Sequence, residues 1–155
     1  MAKILLFMVI QGLIAREGIS QMNMTIYSLI TWNEFRNLIK THFDISFSQI
    51  DDLCAEGIEW NSLENWLDAD DLDILYCLES LKTFSGSLIV VTDASYLKGL
   101  SPFCVDSMNI KQFVENHFIN FHQKFLETDA IIINFESNTA WLFHHEGVYG
   151  IAEFD

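Results

Sequence analysis

The feature that most restricts this chain's fold lies at its end. Three apolar runs, Ala130–Phe135 (AIIINF), Thr139–His145 (TAWLFHH) and Val148–Phe154 (VYGIAEF), follow one another with only Glu136-Ser137-Asn138 and Glu146-Gly147 between them. Runs this short, rich in β-branched and aromatic residues and bounded by turn formers, are strands rather than helices. Gaps of two or three residues cannot carry a parallel crossover, which needs a dozen or more, so the strands must be antiparallel neighbours in a meander. A further run, Ser87–Asp93 (SLIVVTD), opens after Gly86 and predicts one more buried strand upstream.

Helical periodicity dominates elsewhere. Thr31 and Glu34 have capping-box spacing ahead of Trp32, Phe35, Leu38, Ile39 and Phe43. Ser48 with Asp51 predicts a short helix that Gly57 can close, and Asn61 with Glu64 predicts another before Leu63, Trp66 and Leu67. A helix after Asp68 places Ile74, Cys77, Leu78 and Leu81 on one face. The segment Ala94–Asp106 reads as a loop. Asn109 then caps a long amphipathic helix carrying Ile110, Phe113, Val114, His117, Phe118, Phe121 and Phe125. The expectation is a single α+β domain over residues 24–155: a helical N-terminal half, one buried strand, the long helix, and the meander as a sheet packed on helices.

With 155 residues, 50% of them apolar and 14% aromatic, the chain can bury a substantial core and is not of disordered composition. Residues 1–23 stand apart. The apolar stretch from Ile4 to Ala15 is too short for a membrane span of about 20 residues. It reads as signal-like, as a loosely attached helix, or as sequence ahead of a start at Met22 or Met24. No other stretch is long and apolar enough to span. Cys54, Cys77 and Cys104 are dispersed and odd in number, which argues against a disulfide framework and for a reducing, cytoplasmic setting.

Three motifs invite a catalytic or metal reading. His144 and His145 stand together, but neighbouring strand residues face opposite ways, so this pair is not expected to hold one metal; Gly147 marks a two-residue turn instead. A site would need His117, His122 or a distant carboxylate brought in by the fold. The stretch Asp68–Glu79 has the outline of a calcium loop, yet its sixth position is Asp73 where glycine is required. Asp93 ends an apolar strand as a phosphatase nucleophile would, but the residue two positions on is Ser95, and a strand-ending turn is the simpler role. No catalytic residue, metal or cofactor is expected.

Charge carries more information. Eight Lys plus Arg oppose 22 Asp plus Glu, a formal net charge of −14, which disfavours direct binding of nucleic acid and favours a basic protein partner. From Thr41 through Leu81 there are 11 acids and no Lys or Arg. Within this block Glu64, Trp66, Asp68, Asp70, Asp71 and Asp73 form the expected binding surface, with Trp60 and Tyr76 as further aromatic candidates. Helix capping and a plain solvated face account equally for several of these acids.

The run Phe125–Phe154 (FLETDAIIINFESNTAWLFHHEGVYGIAEF), with WLFHHEGVYG its most distinctive part, resembles small bacterial immunity proteins of contact-dependent growth inhibition and related polymorphic toxin systems. Size and acidity fit the same family; no functional residue is carried over. The resemblance implies a non-enzymatic cytoplasmic inhibitor that covers the active site of a cognate toxin domain, in many such systems a nuclease with a basic cleft. Two alternatives stay open: a small metal-dependent hydrolase using His144 or His145, and an acidic DNA-mimicking regulator.

Overall fold

The computed structural model describes residues 25–54 and 57–155. The expectations for residues 1–23 therefore lie outside the described residues. The elements are β1 (Tyr27–Leu29), α1 (Trp32–Phe43), β2 (Asn61–Ser62), α2 (Asp71–Leu81), β3 (Ser87–Val91), β4 (Phe103–Asp106), α3 (Ile110–Phe121), β5 (Ala130–Asn134), β6 (Thr139–His144) and β7 (Val148–Glu153). The seven strands make one antiparallel sheet in the order β1-β4-β3-β5-β6-β7-β2. The architecture is α+β, and the β5-β6-β7 meander is present as the sequence predicts.

Strand alternation divides the core in two. Leu88, Val90, Ala130, Ile132, Trp141 and Phe143 face one side, where they meet Ile74, Leu75 and Leu78 of α2 and Ile110, Phe113 and Val114 of α3. Ile89, Val91, Ile131, Ile133, Ala140 and Leu142 face the other, against Phe35 and Ile39 of α1 and Phe47, Ile50 and Leu53 beyond it. The central strands are therefore buried on both faces, which is why they read as unbroken apolar runs rather than alternating ones. Burying each of the Val, Leu, Ile and Phe side chains among them contributes about 1.5–3 kcal/mol. No helix among the described residues is long and apolar enough to cross a membrane.

The N-terminal half is less helical than its periodicity predicts. The Thr31–Glu34 capping box forms, with Glu34 N donating to Thr31 Oγ1 at 3.1 Å and Thr31 N donating to Glu34 Oε2 at 2.9 Å. The helix expected near Ser48 is a 3-10 turn, Ile50–Leu53, held by Asp52, whose Oδ2 accepts from Ser48 N, Ser48 Oγ and Gln49 N. The start signal at Asn61 is overridden: Asn61–Ser62 pairs with Val148–Tyr149 as an edge strand, and only Trp66–Asp68 coils, as a 3-10 turn. The predicted loop Ala94–Asp106 ends in β4, whose pairing with β1 and β3 supplies contacts invisible to local pattern. Asp106 rather than Asn109 caps the approach to α3, accepting from Met108 N at 2.8 Å. The helix stops at Phe121, because His122 takes a left-handed conformation, and Phe125 reaches the core from the following segment.

Candidate functional site

The acidic segment leaves the edge strand β2 and runs into α2, so both ends are fixed to the sheet and its helices. Two residues pin it. The Trp66 ring packs edge-on against Phe143, with centroids 5.6 Å apart, and lies across Gly147 so closely that a Cβ there would overlap the indole. Asp71 points inward: its Oδ2 accepts from Phe125 N at 2.9 Å and its Oδ1 from Leu126 N at 3.1 Å. A carboxylate at the first turn of α2 thus ties that helix to the segment after α3, in addition to the favourable field at a helix N-terminus.

The remaining acids face water. Glu64, Asp68, Asp70 and Asp73 are exposed, and none makes an ion pair among the described residues. Asp70 occupies the N-cap position of α2 without a side-chain cap, its carbonyl accepting from Asp73 N at 3.0 Å. Leu67, 72% exposed, projects beside them. A shallow cavity of about 100 Å³ opens beneath, bounded by Trp66, Leu67, Asp71 and Leu126 with Lys124 at its margin. Of the six residues singled out from sequence, four therefore present free carboxylates, while Trp66 and Asp71 hold the segment in place. Trp60 and Tyr76 are partly exposed, and Lys111 Nζ stands 5.7 Å from the Tyr76 ring centroid.

The histidine pair departs from the strand argument. The register pairs His144 with Val148, which leaves His145, Glu146 and Gly147 as a three-residue loop. Gly147 N donates to His144 O at 2.9 Å and Gly147 has φ 76°, the arrangement of a type I turn closed by a left-handed glycine. His145 is thus outside the strand, alternation no longer applies to it, and both rings swing to the same side, with centroids 4.0 Å apart. They converge on Asp129, immediately before β5. Asp129 Oδ1 accepts from His145 N at 2.9 Å and lies 2.9 Å from His145 Nδ1 and 4.0 Å from His144 Nε2. The hydrogen bond that the His145 ring donates to Asp129 is the main reason that the pKa of the exposed His145 is raised above its ordinary value.

His117 and His122 do not join this group. His117 is wholly buried among Phe103, Phe113, Phe121 and Phe125. Its Nδ1–H donates to Gln123 O at 2.9 Å, and its Nε2 then accepts from Thr92 Oγ1 at 3.2 Å. Burial pushes its pKa down, so the neutral ring is favoured as a fully satisfied core group rather than a ligand. Asp93 opens the 3-10 turn Asp93–Tyr96 and is exposed. The calcium-like stretch is largely helix α2, which cannot wrap an ion. Cys54, Cys77 and Cys104 are free thiols, and burial with the charges of Asp51 and Asp129 pushes the Cys54 thiol up, away from nucleophilic use.

Asp129 escaped the sequence reading. The missed signal was the loop length: a glycine at the third loop position, rather than the second, takes the residue after His144 out of the strand. Comparisons of the chain with family models, curated proteins and solved structures found no match.

Proposed function

We propose that this chain is a cytoplasmic immunity protein that binds a cognate basic toxin domain, a nuclease by the charge argument, and blocks its active-site cleft. One observation carries the reading. Four exposed carboxylates without ion-pair partners among the described residues, Glu64, Asp68, Asp70 and Asp73, sit on a segment fastened by Trp66 and Asp71. Unpaired acids on a held segment cost stability by mutual repulsion and are well suited to receive Lys and Arg that would otherwise contact phosphates. The C-terminal resemblance to immunity proteins supports the same reading independently.

The test is co-purification with the toxin domain encoded beside this gene. Tight binding of the wild type is expected, with a loss of at least about tenfold in affinity when Asp68, Asp70 and Asp73 are reversed to Lys. Absence of binding removes the immunity reading, whereas binding indifferent to the reversal moves the interface elsewhere. A metal-dependent hydrolase remains a second reading only because Asp129 meets His144 and His145. Turnover of a phosphoester or peptide substrate by the purified chain would favour it.

A further inference from the structure

We propose that Asp129, His144 and His145 form a binding site for a borderline divalent transition-metal ion, with zinc as the reference case. One donor atom from each residue, a carboxylate oxygen and two imidazole nitrogens, can be chosen so that all three lie within 4.8 Å of one another. Ligands at about 2.0–2.1 Å from a tetrahedral zinc stand about 3.4 Å apart. The observed separations from Asp129 Oδ1, 2.9 Å to His145 Nδ1 and 4.0 Å to His144 Nε2, bracket that value. Changes of about 0.5–0.6 Å in these two separations bring both to that value.

The donor set selects the ion. Two imidazoles and one carboxylate suit zinc, cobalt or nickel, whereas calcium and magnesium require mostly oxygen ligands. The His144 ring presents one of its nitrogens to the site. Its Nδ1 is buried without a hydrogen-bond partner, so Nε2, turned toward Asp129, is the nitrogen left for a polar interaction. A hydrogen bond between Asp129 and His145 leaves that nitrogen 4.0 Å from the carboxylate, while an ion between the three residues engages both rings at once. On binding, the ion takes the Nδ1 lone pair of His145: an imidazolium ring releases its Nδ1 proton to solvent and keeps Nε2–H, whereas a neutral ring carries its one proton on Nε2 instead of Nδ1. The charges of Asp51 and Glu146, which also act on His145, add to the field that draws a cation in. Three protein ligands leave the fourth position open to water or to a donor from another molecule.

The proposal does not depend on the immunity reading, because it is tested on the chain alone. Untagged full-length protein, stripped with chelator, is titrated with Zn2+ by calorimetry and with Co2+ by visible absorption. One equivalent per chain is expected, with the intense d–d bands of four-coordinate cobalt. His145→Gln, at an exposed position, and Asp129→Asn are each expected to weaken zinc by at least about tenfold. His122→Gln, an exposed imidazole elsewhere, is expected to leave binding unchanged. Absence of stoichiometric binding overturns the site. Binding that survives both His145→Gln and Asp129→Asn undiminished also overturns it, by placing the ion on the acidic surface. Failure of the toxin to bind, with zinc retained, would overturn the immunity reading alone.

Discussion

At the scale of single residues, His117 shows how the core treats a polar ring. It has two partners, Thr92 Oγ1 and Gln123 O, and four phenylalanines around it. Desolvation lowers its pKa, opposed by the bond to Gln123 and by the charge of Asp71. The sign of the consequence follows from proton counting. Below the unfolded value of about 6.5, the unfolded chain takes up a proton that the native ring refuses, so stability falls as pH drops. The slope from this residue approaches about 1.4 kcal/mol per pH unit at most. Replacing His117 with Gln is expected to cost about 1–3 kcal/mol near pH 7.5, since neither partner is reached with the same geometry. The deficit should narrow toward pH 5, because the variant has no ring to protonate. Urea denaturation of both proteins at several pH values measures this, and the titration of His145 largely cancels in the difference. A deficit constant across that range would show that the ring titrates alike in both states.

Between elements, the most informative link is Asp71, which joins the start of α2 to Phe125 and Leu126 beyond α3. Asp71→Ala strands two backbone N–H groups in a partly buried place and is expected to cost about 3 kcal/mol, while Asn, keeping one acceptor oxygen, costs about half as much. Thermal melts of the two variants check this, and an unchanged midpoint in Asp71→Ala would return Asp71 to the binding surface. The same residue marks the limit of sequence reading at this scale. Strong local signals held: the Thr31–Glu34 box, the amphipathic α3 and the three strands of the meander each form where propensity and periodicity agree. Weak elements were lost because tertiary pairing makes them. β1 and β2 have three and two residues, and β4 lies within a stretch that reads as loop; each is a strand only because a neighbour offers hydrogen bonds. Exposure of Glu64, Asp68, Asp70 and Asp73 was legible from composition. The inward turn of Asp71 and the arrival of Asp129 beside His145 were not, since both depend on partners 54 and 16 residues away.

For the whole molecule, the decisive fact is that helices and turns cover both faces of the sheet. A partner must therefore meet the chain at its edges, helix backs or loop ends, and the acidic segment follows β2, the edge strand beside β7. A net charge of −14 acts over distances longer than any single contact. If the proposed function holds, at low ionic strength this charge should draw the basic toxin domain into productive encounters, and salt should remove that advantage as the screening length contracts from about 30 Å at 0.01 M to about 10 Å at 0.1 M. Stopped-flow association is accordingly expected to slow by about tenfold or more over that interval, with the dissociation rate much less affected. Local and global charge separate in a matched pair of variants. Asp70→Lys with Asp73→Lys changes the formal charge by as much as Glu115→Lys with Glu136→Lys, the latter pair lying on exposed positions outside residues 64–73. If the segment is the docking surface, the first pair slows association more and also speeds dissociation. Equal effects of the two pairs on association, with dissociation unmoved, would mean that the acidity serves only long-range attraction and that contact is made elsewhere.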